Sequence, residues 1–262
     1  MKACFSTWCT DDYHDRVGLA KQQASLKYFH PEIPRFVFDT AKTNKLKEID
    51  PWLNQYFMMP PTCMHLADEF DLVIHIDGDC TVTGPLDDVL RGDFEIAGVR
   101  NNNDYNKAGK DPFITIPLKN GSMIPKWEFL NAGFVASTSK DFWLEWHACN
   151  KLEGNNYAGH ENDTLNHIFH SGRYKTKILD PYNCSESYGL TNVWGNETHW
   201  DSWREIFLQD NKLYIHSILG RRMEIKVLHV AGGGGSWLMK QKYEQYGFKQ
   251  EVLEYLRNIT NG

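Results

Sequence analysis

Several features that would assign this chain of 262 residues to a specialised class are missing from it. No segment is rich in lysine or arginine, and the net charge is −6, so a nucleic-acid-binding surface is not indicated. No stretch approaches the roughly 18 apolar residues that a membrane-spanning helix needs. The first residues lead directly into a short apolar strand, without the longer apolar core of a secretory signal. These absences predict a globular, cytoplasmic protein.

The six cysteines form no recognisable metal-binding pattern, because no two of them are spaced as CxxC. In a chain of this length without a secretory signal, cysteines are most often reduced and buried. We therefore expect free thiols in the interior.

Lysine and arginine are also absent from one long part of the chain, between Lys47 and Arg91. An anionic ligand bound near that part would need a metal ion, or basic groups supplied from elsewhere in the fold.

Strand and helix patterns alternate through the first half of the chain, which predicts an open α/β sheet. Strands are predicted at residues 2–6, 35–38, 72–76, 95–99, 129–137 and 226–230. Helices are predicted at residues 15–28, 42–49, 64–70, 86–90, 142–150, 163–170 and 238–259. We expect one domain over residues 1–237, with residues 238–262 as a helical extension packed on it.

The strongest local signal is Asp77-Gly78-Asp79, which follows the apolar run Leu72–Ile76. A near-continuous apolar run is typical of a strand that is covered on both faces. Carboxylates at the end of such a strand are costly unless they are paired or bind a metal. Hard divalent ions prefer oxygen ligands and commonly bridge carboxylates to phosphates. The alternative is a pair of solvated carboxylates in a turn.

The acidic segment resembles the DxD motif of GT-A glycosyltransferases, and four other segments fall in the order of glycosyltransferase family 8, the glycogenin and lipopolysaccharide-galactosyltransferase type. They are the opening strand with Tyr13, Gly18-Leu19 and Ser25-Leu26, then Leu130–Gly133, Glu161–Asn166 and Leu228–Gly232. Together the segments span residues 2 to 237.

The resemblance implies a GT-A fold, in which a mostly parallel open sheet is flanked by helices. It implies transfer of a sugar from a nucleoside diphosphate sugar, with UDP as the expected nucleotide, to a glycan, a lipid-linked acceptor or another hydroxyl. It also implies retention at the anomeric carbon, and Mn²⁺ or Mg²⁺ held by Asp77, Asp79 and His229. The alternative for His229 is a capped or core histidine.

By the same resemblance, Asn131, Glu161, Asn162 and Asp163 would line the transferred sugar, and the last three are the candidate catalytic residues. Such side chains supply the directional hydrogen bonds that sugar hydroxyls need. If the enzyme inverts, Glu161 or Asp163 becomes a candidate general base. Alternatively, Glu161 or Asn162 caps the following helix and Asp163 lies in its first turn.

The remaining candidates would contact the donor nucleotide. Gly78 would let a diphosphate approach the backbone, because glycine has no side chain. The glycines from Gly232 to Gly235 either close over the diphosphate or form a plain turn. Thr7 and Tyr13 are candidates for contacting the base, and the alternative for Tyr13 is a packed aromatic.

Two departures from the family pattern leave the identity of the sugar donor undetermined. The family's late motif ends in a lysine that contacts the diphosphate, where this chain has Gly235, and the nearest lysine is Lys240. The family also usually has a basic residue before the DxD strand, in the part of this chain without lysine and arginine.

Three other functions stay open. Asp77 and Asp79 also fit the first motif of haloacid-dehalogenase-like phosphatases, although the acidic pair expected downstream is not found. Sugar nucleotidyltransferases share the broad architecture, but their glycine-rich basic loop is absent after the first strand. A non-catalytic nucleotide-sugar-binding protein is the third. The aromatic C-terminal segment would allow peripheral membrane contact, and a helix packed on the domain is the alternative.

Overall fold

The computed structural model describes residues 1–9, 19–53, 57–100, 115–117, 123–125, 128–153, 161–179, 186–187, 190–191, 206–216, 222–229 and 248–261. These described residues contain seven helices and fifteen strands. The helices are α1 (Leu19–Phe29), α2 (Thr40–Ile49), α3 (Met59–Leu66), α4 (Asp87–Leu90), α5 (Lys140–Glu153), α6 (Glu161–Phe169) and α7 (Gln250–Thr260). The strands are β1 (Ala3–Trp8), β2 (Arg35–Phe38), β3 (Leu72–Ile76), β4 (Cys80–Val82), β5 (Ile96–Arg100), β6 (Thr115–Pro117), β7 (Met123–Pro125), β8 (Leu130–Ser137), β9 (Thr176–Ile178), β10 (Glu186–Ser187), β11 (Leu190–Thr191), β12 (Phe207–Gln209), β13 (Lys212–His216), β14 (Arg222–Ile225) and β15 (Val227–His229).

The centre of the fold is a six-stranded sheet with the order β2-β1-β3-β8-β5-β9. Strand β1 pairs in parallel with β2 and β3, and β5 pairs in parallel with β9. Strand β8 runs antiparallel to both of its neighbours, β3 and β5. A mostly parallel sheet with helices on its faces confirms the predicted fold class.

Strand β3 lies in the middle of this sheet, and all five of its residues are buried. Leu72, Ile74 and Ile76 face an apolar cluster that includes residues of α1 and α4. Val73 faces the opposite cluster, which includes residues of α3, α5 and α6. Because successive side chains of a strand point to opposite faces, a strand with two apolar faces must be covered on both sides.

Besides the two-stranded sheet β6-β7, two smaller sheets extend the core. One has the order β11-β15-β4 and begins where the chain leaves β3, while the other has the order β10-β14-β13-β12. The C-terminal helix α7 contacts α1 and β12. It buries four apolar side chains in a cluster shared with β13 to β15: Val252, Leu253, Leu256 and Ile259.

Most predicted elements are found near their predicted positions, and β2 and β3 have the predicted bounds. The helix predicted at 64–70 is wrong in its bounds, because α3 starts at Met59. Its prolines, Pro60 and Pro61, lie in the first turn, where no intrahelical hydrogen bond is needed from their nitrogens. Of the helix predicted at 238–259, the described residues begin only at 248.

The five cysteines that the structure describes form no disulfide: four are buried and Cys149 is half-buried. Cys184 lies outside the described residues. Within the described ranges, no helix combines the length and apolar character that crossing a membrane requires. In the C-terminal segment that was considered for membrane contact, the aromatic residue Phe248 is buried in the protein.

The carboxyl end of β3 is tied to its surroundings by Gln22 of α1, which is fully buried. Its Nε2 atom lies 2.9 Å from the carbonyl oxygen of Ile76, 2.8 Å from that of Asp77 and 2.9 Å from Thr7 Oγ1. The Thr7 hydroxyl donates in turn to the Ile76 carbonyl oxygen, at 2.9 Å. Buried backbone carbonyls need partners, and Gln22 supplies them where the strand ends.

Replacing Gln22 with leucine is expected to lower the free energy of unfolding by about 1–3 kcal/mol, because buried acceptors lose a donor. Chemical denaturation at neutral pH measures the effect. The control is Gln250→Leu, since Gln250 is exposed at the start of α7. Equal stability of the two variants would contradict the assigned role of Gln22.

Candidate functional site

The acidic segment forms the turn that follows β3. The backbone N–H of Asp77 donates to the carbonyl oxygen of Gly133 at 2.9 Å, and the N–H of Cys80 donates to that of Asp77 at 3.0 Å. The side chain of Asp77 remains 34% exposed, whereas that of Asp79 is only 5% exposed. Both carboxylates therefore lie at the carboxyl edge of the central sheet, where open α/β sheets bind their ligands.

His229 reaches this turn through the pairing of β15 with β4. The two strands are antiparallel, and His229 lies directly opposite Cys80. The Nε2 atom of His229 is 3.2 Å from Asp79 Oδ1 and 3.8 Å from Asp77 Oδ2, and its side chain is only 4% exposed. The structure thus places both predicted carboxylates beside His229, although the ligand atoms that all lie within 4.8 Å of one another are those of Asp79, Cys80 and His229.

The contact between His229 and Asp79 has the spacing of two metal ligands. Although the two atoms are 3.2 Å apart, Asp79 Oδ1 is a buried oxygen without a properly aligned hydrogen-bond donor. Neighbouring ligands of an octahedral ion with bonds of about 2.1 Å lie about 3 Å apart. An oxygen and an imidazole nitrogen also suit Mn²⁺. These side chains fit a divalent cation.

Cys80 was not predicted at the site, but its sulfur lies within 4.8 Å of ligand atoms of Asp79 and His229. The thiol donates a weak hydrogen bond to the carbonyl oxygen of Gly133, at 3.8 Å. Burial, and then the charges of Asp79 and Asp77, raise the pKa of the Cys80 thiol well above its ordinary value. A neutral thiol is a poor ligand, so oxygen and imidazole dominate the site.

The pKa values of Asp79 and His229 are both raised, but for different reasons. For Asp79, burial raises the pKa and the attraction of His229 only partly opposes it. For His229, burial lowers the pKa, but the charges of Asp79 and Asp77 outweigh that effect. For Asp77, burial acts to raise the pKa, and the hydrogen bond from His75 and the charges of His75 and His229 hold it below its usual range.

Strand β8 contributes the Asn-Ala-Gly segment through an irregularity in its pairing. The register between β8 and β5 shifts at one point: Gly98 of β5 pairs with Val135, but the next residue, Val99, pairs with Asn131. The residues of β8 between these two partners therefore form a bulge. The N–H of Gly133 donates to Asn131 Oδ1 at 2.8 Å, within the resulting bulge. A Cβ atom on Gly133 would overlap the His229 ring and lie 2.9 Å from Asn131 Oδ1. Only glycine allows the histidine this close to β8.

Helix α6 is attached to the start of β8 by two asparagines one turn apart. Asn162 Oδ1 accepts a hydrogen bond from the N–H of Ala132 at 2.7 Å, and Asn166 Oδ1 accepts one from the N–H of Leu130 at 2.8 Å. Asn166 Nδ2 also donates to the carbonyl oxygen of Leu130 at 3.0 Å. The first turn of α6, with Glu161 and Asp163, is thereby held beside the acidic turn.

Glu161 is the candidate catalytic residue with the most perturbed environment. Its Oε2 atom is buried without a hydrogen-bond partner. Burial raises the pKa of Glu161 to about 8; its own backbone N–H opposes the shift, while the charges of Asp77 and Asp163 add to it. The side chain is therefore a neutral carboxylic acid near pH 7. The contribution of Asp77 indicates that Glu161 lies within electrostatic reach of the acidic turn.

Thr7 is the one candidate base-contacting residue that the structure describes. It is buried, and its hydroxyl is engaged with Ile76 and Gln22 as described above. Gly78 is buried in the acidic turn. The proposed roles of Thr7 and Gly78 stay predictions. Tyr13, Gly232 and Gly235 lie outside the described residues.

The sequence analysis missed His75, whose Nε2 atom is 3.0 Å from Asp77 Oδ1. A signal was present, because residues two apart on a strand share a face and a histidine is unusual in an apolar run. It also missed Gln22, for which the sequence offers only a polar residue on an inward face of α1.

Gly133→Ala is expected to weaken Mn²⁺ binding by about tenfold or more, because the new methyl group displaces the His229 ring and misplaced ligands bind metals poorly. Calorimetric titration with Mn²⁺ measures this. The control is Gly172→Ala, because Gly172 lies in an exposed turn after α6 and an added methyl there meets no atom within 4 Å. Equal Mn²⁺ affinity in the two variants would contradict the assigned position of His229.

The raised pKa of Glu161 predicts how stability depends on pH. The folded protein holds a proton that the unfolded chain releases near pH 4.5, so this group makes stability fall from about pH 4.5 to about pH 8. Glutamine does not titrate, so Glu161→Gln removes this pH dependence. The free energy of unfolding of the variant minus that of wild type is expected to rise from about pH 4.5 to about pH 8 and then to level off. Urea denaturation at several pH values tests the prediction. The control, Glu48→Gln, changes an exposed glutamate of α2 and is expected to give a flat difference.

Comparison with known proteins gives matches among solved structures. The galactosyltransferase LgtC in complex with donor and acceptor sugar analogues matches with a TM-score of 0.53 and 13% identity, covering 96% of this chain and 99% of that one. The apo form of the glycosyltransferase GlyE from Streptococcus pneumoniae TIGR4 matches with a TM-score of 0.55 and 13% identity, covering all of this chain and 62% of that one.

A glycosyltransferase involved in the glycosylation of the major capsid of PBCV-1 matches with a TM-score of 0.52 and 10% identity, covering 91% of this chain and 100% of that one. No protein-family model and no curated protein sequence matches the chain. At such low identities the likeness establishes architecture alone. The chain has the GT-A fold of glycosyltransferases.

Proposed function

We propose that the protein is a metal-dependent glycosyltransferase that moves a sugar from a nucleoside diphosphate sugar to a hydroxyl acceptor. The observation that carries this proposal is the convergence of Asp77, Asp79 and His229 at the carboxyl end of β3 in a GT-A fold. The likeness to several glycosyltransferase structures supports it.

The three converging side chains would hold Mn²⁺ or Mg²⁺. A bound divalent ion supplies Lewis-acid stabilisation of the negative charge that develops on the departing diphosphate. Asp79 and His229 are almost completely buried, and the surrounding strands exclude water from them. Asp77 is partly exposed, so it lies on the side from which a ligand would enter.

The first turn of α6 and the start of β8 would bind the transferred sugar. Asn131, Asn162 and Asp163 offer polar groups beside the acidic turn, and hydrogen bonds to hydroxyls would orient the sugar. Glu161 is neutral near pH 7 and can donate a hydrogen bond as well as accept one. Holding donor and acceptor side by side supplies the proximity that such a transfer needs.

We further propose UDP as the nucleotide and retention at the anomeric carbon, as the family resemblance implies. The neutral state of Glu161 favours a hydrogen-bonding role over that of a general base at neutral pH. If the enzyme inverts instead, Asp163 is the better candidate for the base.

Calorimetry with UDP and with GDP, each with and without Mn²⁺, tests the proposal. UDP is expected to bind only when Mn²⁺ is present. Asp79→Asn is expected to weaken that binding by about tenfold or more, because a charged ligand of the cation is lost. The control is Asp71→Asn, an exposed aspartate just before β3. Release of UDP from a panel of UDP-sugars then measures turnover.

The outcomes separate the proposed function from the non-catalytic and the phosphatase alternatives. Full UDP binding and transfer by Asp79→Asn would contradict the metal site. Mn²⁺-dependent binding with no turnover on a broad acceptor panel would favour a non-catalytic nucleotide-sugar-binding protein. Absence of nucleotide binding together with hydrolysis of a simple phosphomonoester would favour the phosphatase alternative.

A further inference from the structure

His75 is an exception within β3, because it is an imidazole on a strand whose other four residues are apolar. It is completely buried, and it shares a face with Val73 and with Asp77, two residues further along. A buried polar ring costs free energy unless it is hydrogen-bonded. A leucine or phenylalanine at this position would avoid that cost.

The polar contact of the His75 ring runs to the acidic turn. Its Nε2 atom is 3.0 Å from Asp77 Oδ1, while its Nδ1 atom is buried and has no partner among the described residues. A carboxylate accepts, so Nε2 carries the proton and donates it to Oδ1. The one hydrogen bond that supports this buried ring is thus made to a candidate metal ligand.

The two carboxylate oxygens of Asp77 have different neighbours. Oδ1 is held back against the strand by His75, and Oδ2 faces His229 at 3.8 Å from its Nε2 atom. The hydrogen bond occupies one lone pair of Oδ1 and directs that oxygen towards His75, so Oδ2 is the oxygen better placed for a cation, which favours binding through a single oxygen. Mn²⁺ and Mg²⁺ accept such ligands in compact octahedral sites, whereas Ca²⁺ often takes both oxygens of a carboxylate in larger, more flexible sites.

We propose that His75 is a positioning residue that fixes Asp77 as a single-oxygen ligand and so makes the site select Mn²⁺ or Mg²⁺ over Ca²⁺. This inference rests on the metal site of the proposed function. It goes beyond that function by assigning the cation selectivity to a residue that does not touch the cation. Hydrogen-bonding partners of metal ligands commonly control affinity in this way.

Three variants test the role of His75 through metal binding rather than activity. His75→Leu removes the donor but keeps the strand apolar, and is expected to weaken Mn²⁺ binding by roughly 10–100-fold. Its Ca²⁺ affinity is expected to change much less, so the ratio of Mn²⁺ to Ca²⁺ affinity falls. His75→Gln places an amide N–H near the position of Nε2 and is expected to restore the ratio. His75→Asn, which is too short to reach Asp77, is expected to behave like His75→Leu.

Calorimetric titrations with Mn²⁺ and with Ca²⁺ on the full chain measure these ratios, and thermal unfolding checks that each variant is folded. The same His75→Leu change is also made in an Asp77→Asn background. Because both changes act through the same carboxylate, His75→Leu is expected to add little once residue 77 is already asparagine.

The outcomes distinguish failure of the proposed metal site from failure of the role assigned to His75. If wild type binds no Mn²⁺, the metal site of the proposed function and this inference both fall. If wild type binds Mn²⁺ and His75→Leu binds it equally well, only the role of His75 falls. Equal losses of Mn²⁺ and Ca²⁺ affinity, or fully additive losses in the double variant, would point to general loss of structure and would also overturn the inference.

Discussion

The candidate site depends on how the buried strand β3 ends. Five buried residues carry the chain to the edge of the central sheet, where the carbonyl groups of Ile76 and Asp77 and two carboxylates must find partners inside the protein. Gln22 and Thr7 satisfy the carbonyl groups, and Gly133 accepts the N–H of Asp77. With the backbone satisfied in this way, the side chains of the turn are left to bind a ligand.

The antiparallel direction of β8 explains why amide side chains gather at the same place. Ile76 pairs with Phe134, so the residues of β8 that precede Phe134 lie beyond the end of β3. The polar start of β8 therefore meets the polar end of β3. Asn162 and Asn166 bind the backbone of that start, which brings the first turn of α6 to the site. A parallel β8 would have placed the same asparagines at the opposite edge of the sheet.

Sequence patterns predicted the parts of the site that depend only on residues close together in the sequence. The apolar run before Asp77 gave β3 its bounds and placed the acidic pair, and α5 and α6 were found near their predicted positions. The contact of His229 with Asp79 depends on the register of β15 against β4, more than 140 residues apart in sequence, which no local pattern specifies. That contact was expected only from the family resemblance.

Other features could not be predicted because they depend on how segments of the chain pack against one another in the folded protein. The bulge that brings Gly133 against His229 arises from a register jump between β5 and β8, and the sequence segment Asn131–Gly133 does not reveal it. The start of α3 at Met59 was missed because Pro60 and Pro61 are more often read as helix breakers than as a first turn. Gln22 looked like any polar residue of an amphipathic helix.

The charges at the site give a reason for a cation that is independent of the resemblance. Within the described part of the chain, the charges that shift the pKa values of Asp77, Asp79, Glu161 and His229 come from carboxylates and histidines, with no contribution from lysine or arginine. A diphosphate brought to two carboxylates in this setting would be repelled, and the repulsion is strong where water is excluded. Protonation of Glu161 removes one negative charge, but Asp77 keeps its own because His75 and His229 stabilise the ionised form. A divalent ion between the carboxylates and the phosphates would change the sign of this interaction, and Asp79 Oδ1, which is buried beside His229 without an aligned hydrogen-bond donor, is an oxygen that we propose for it.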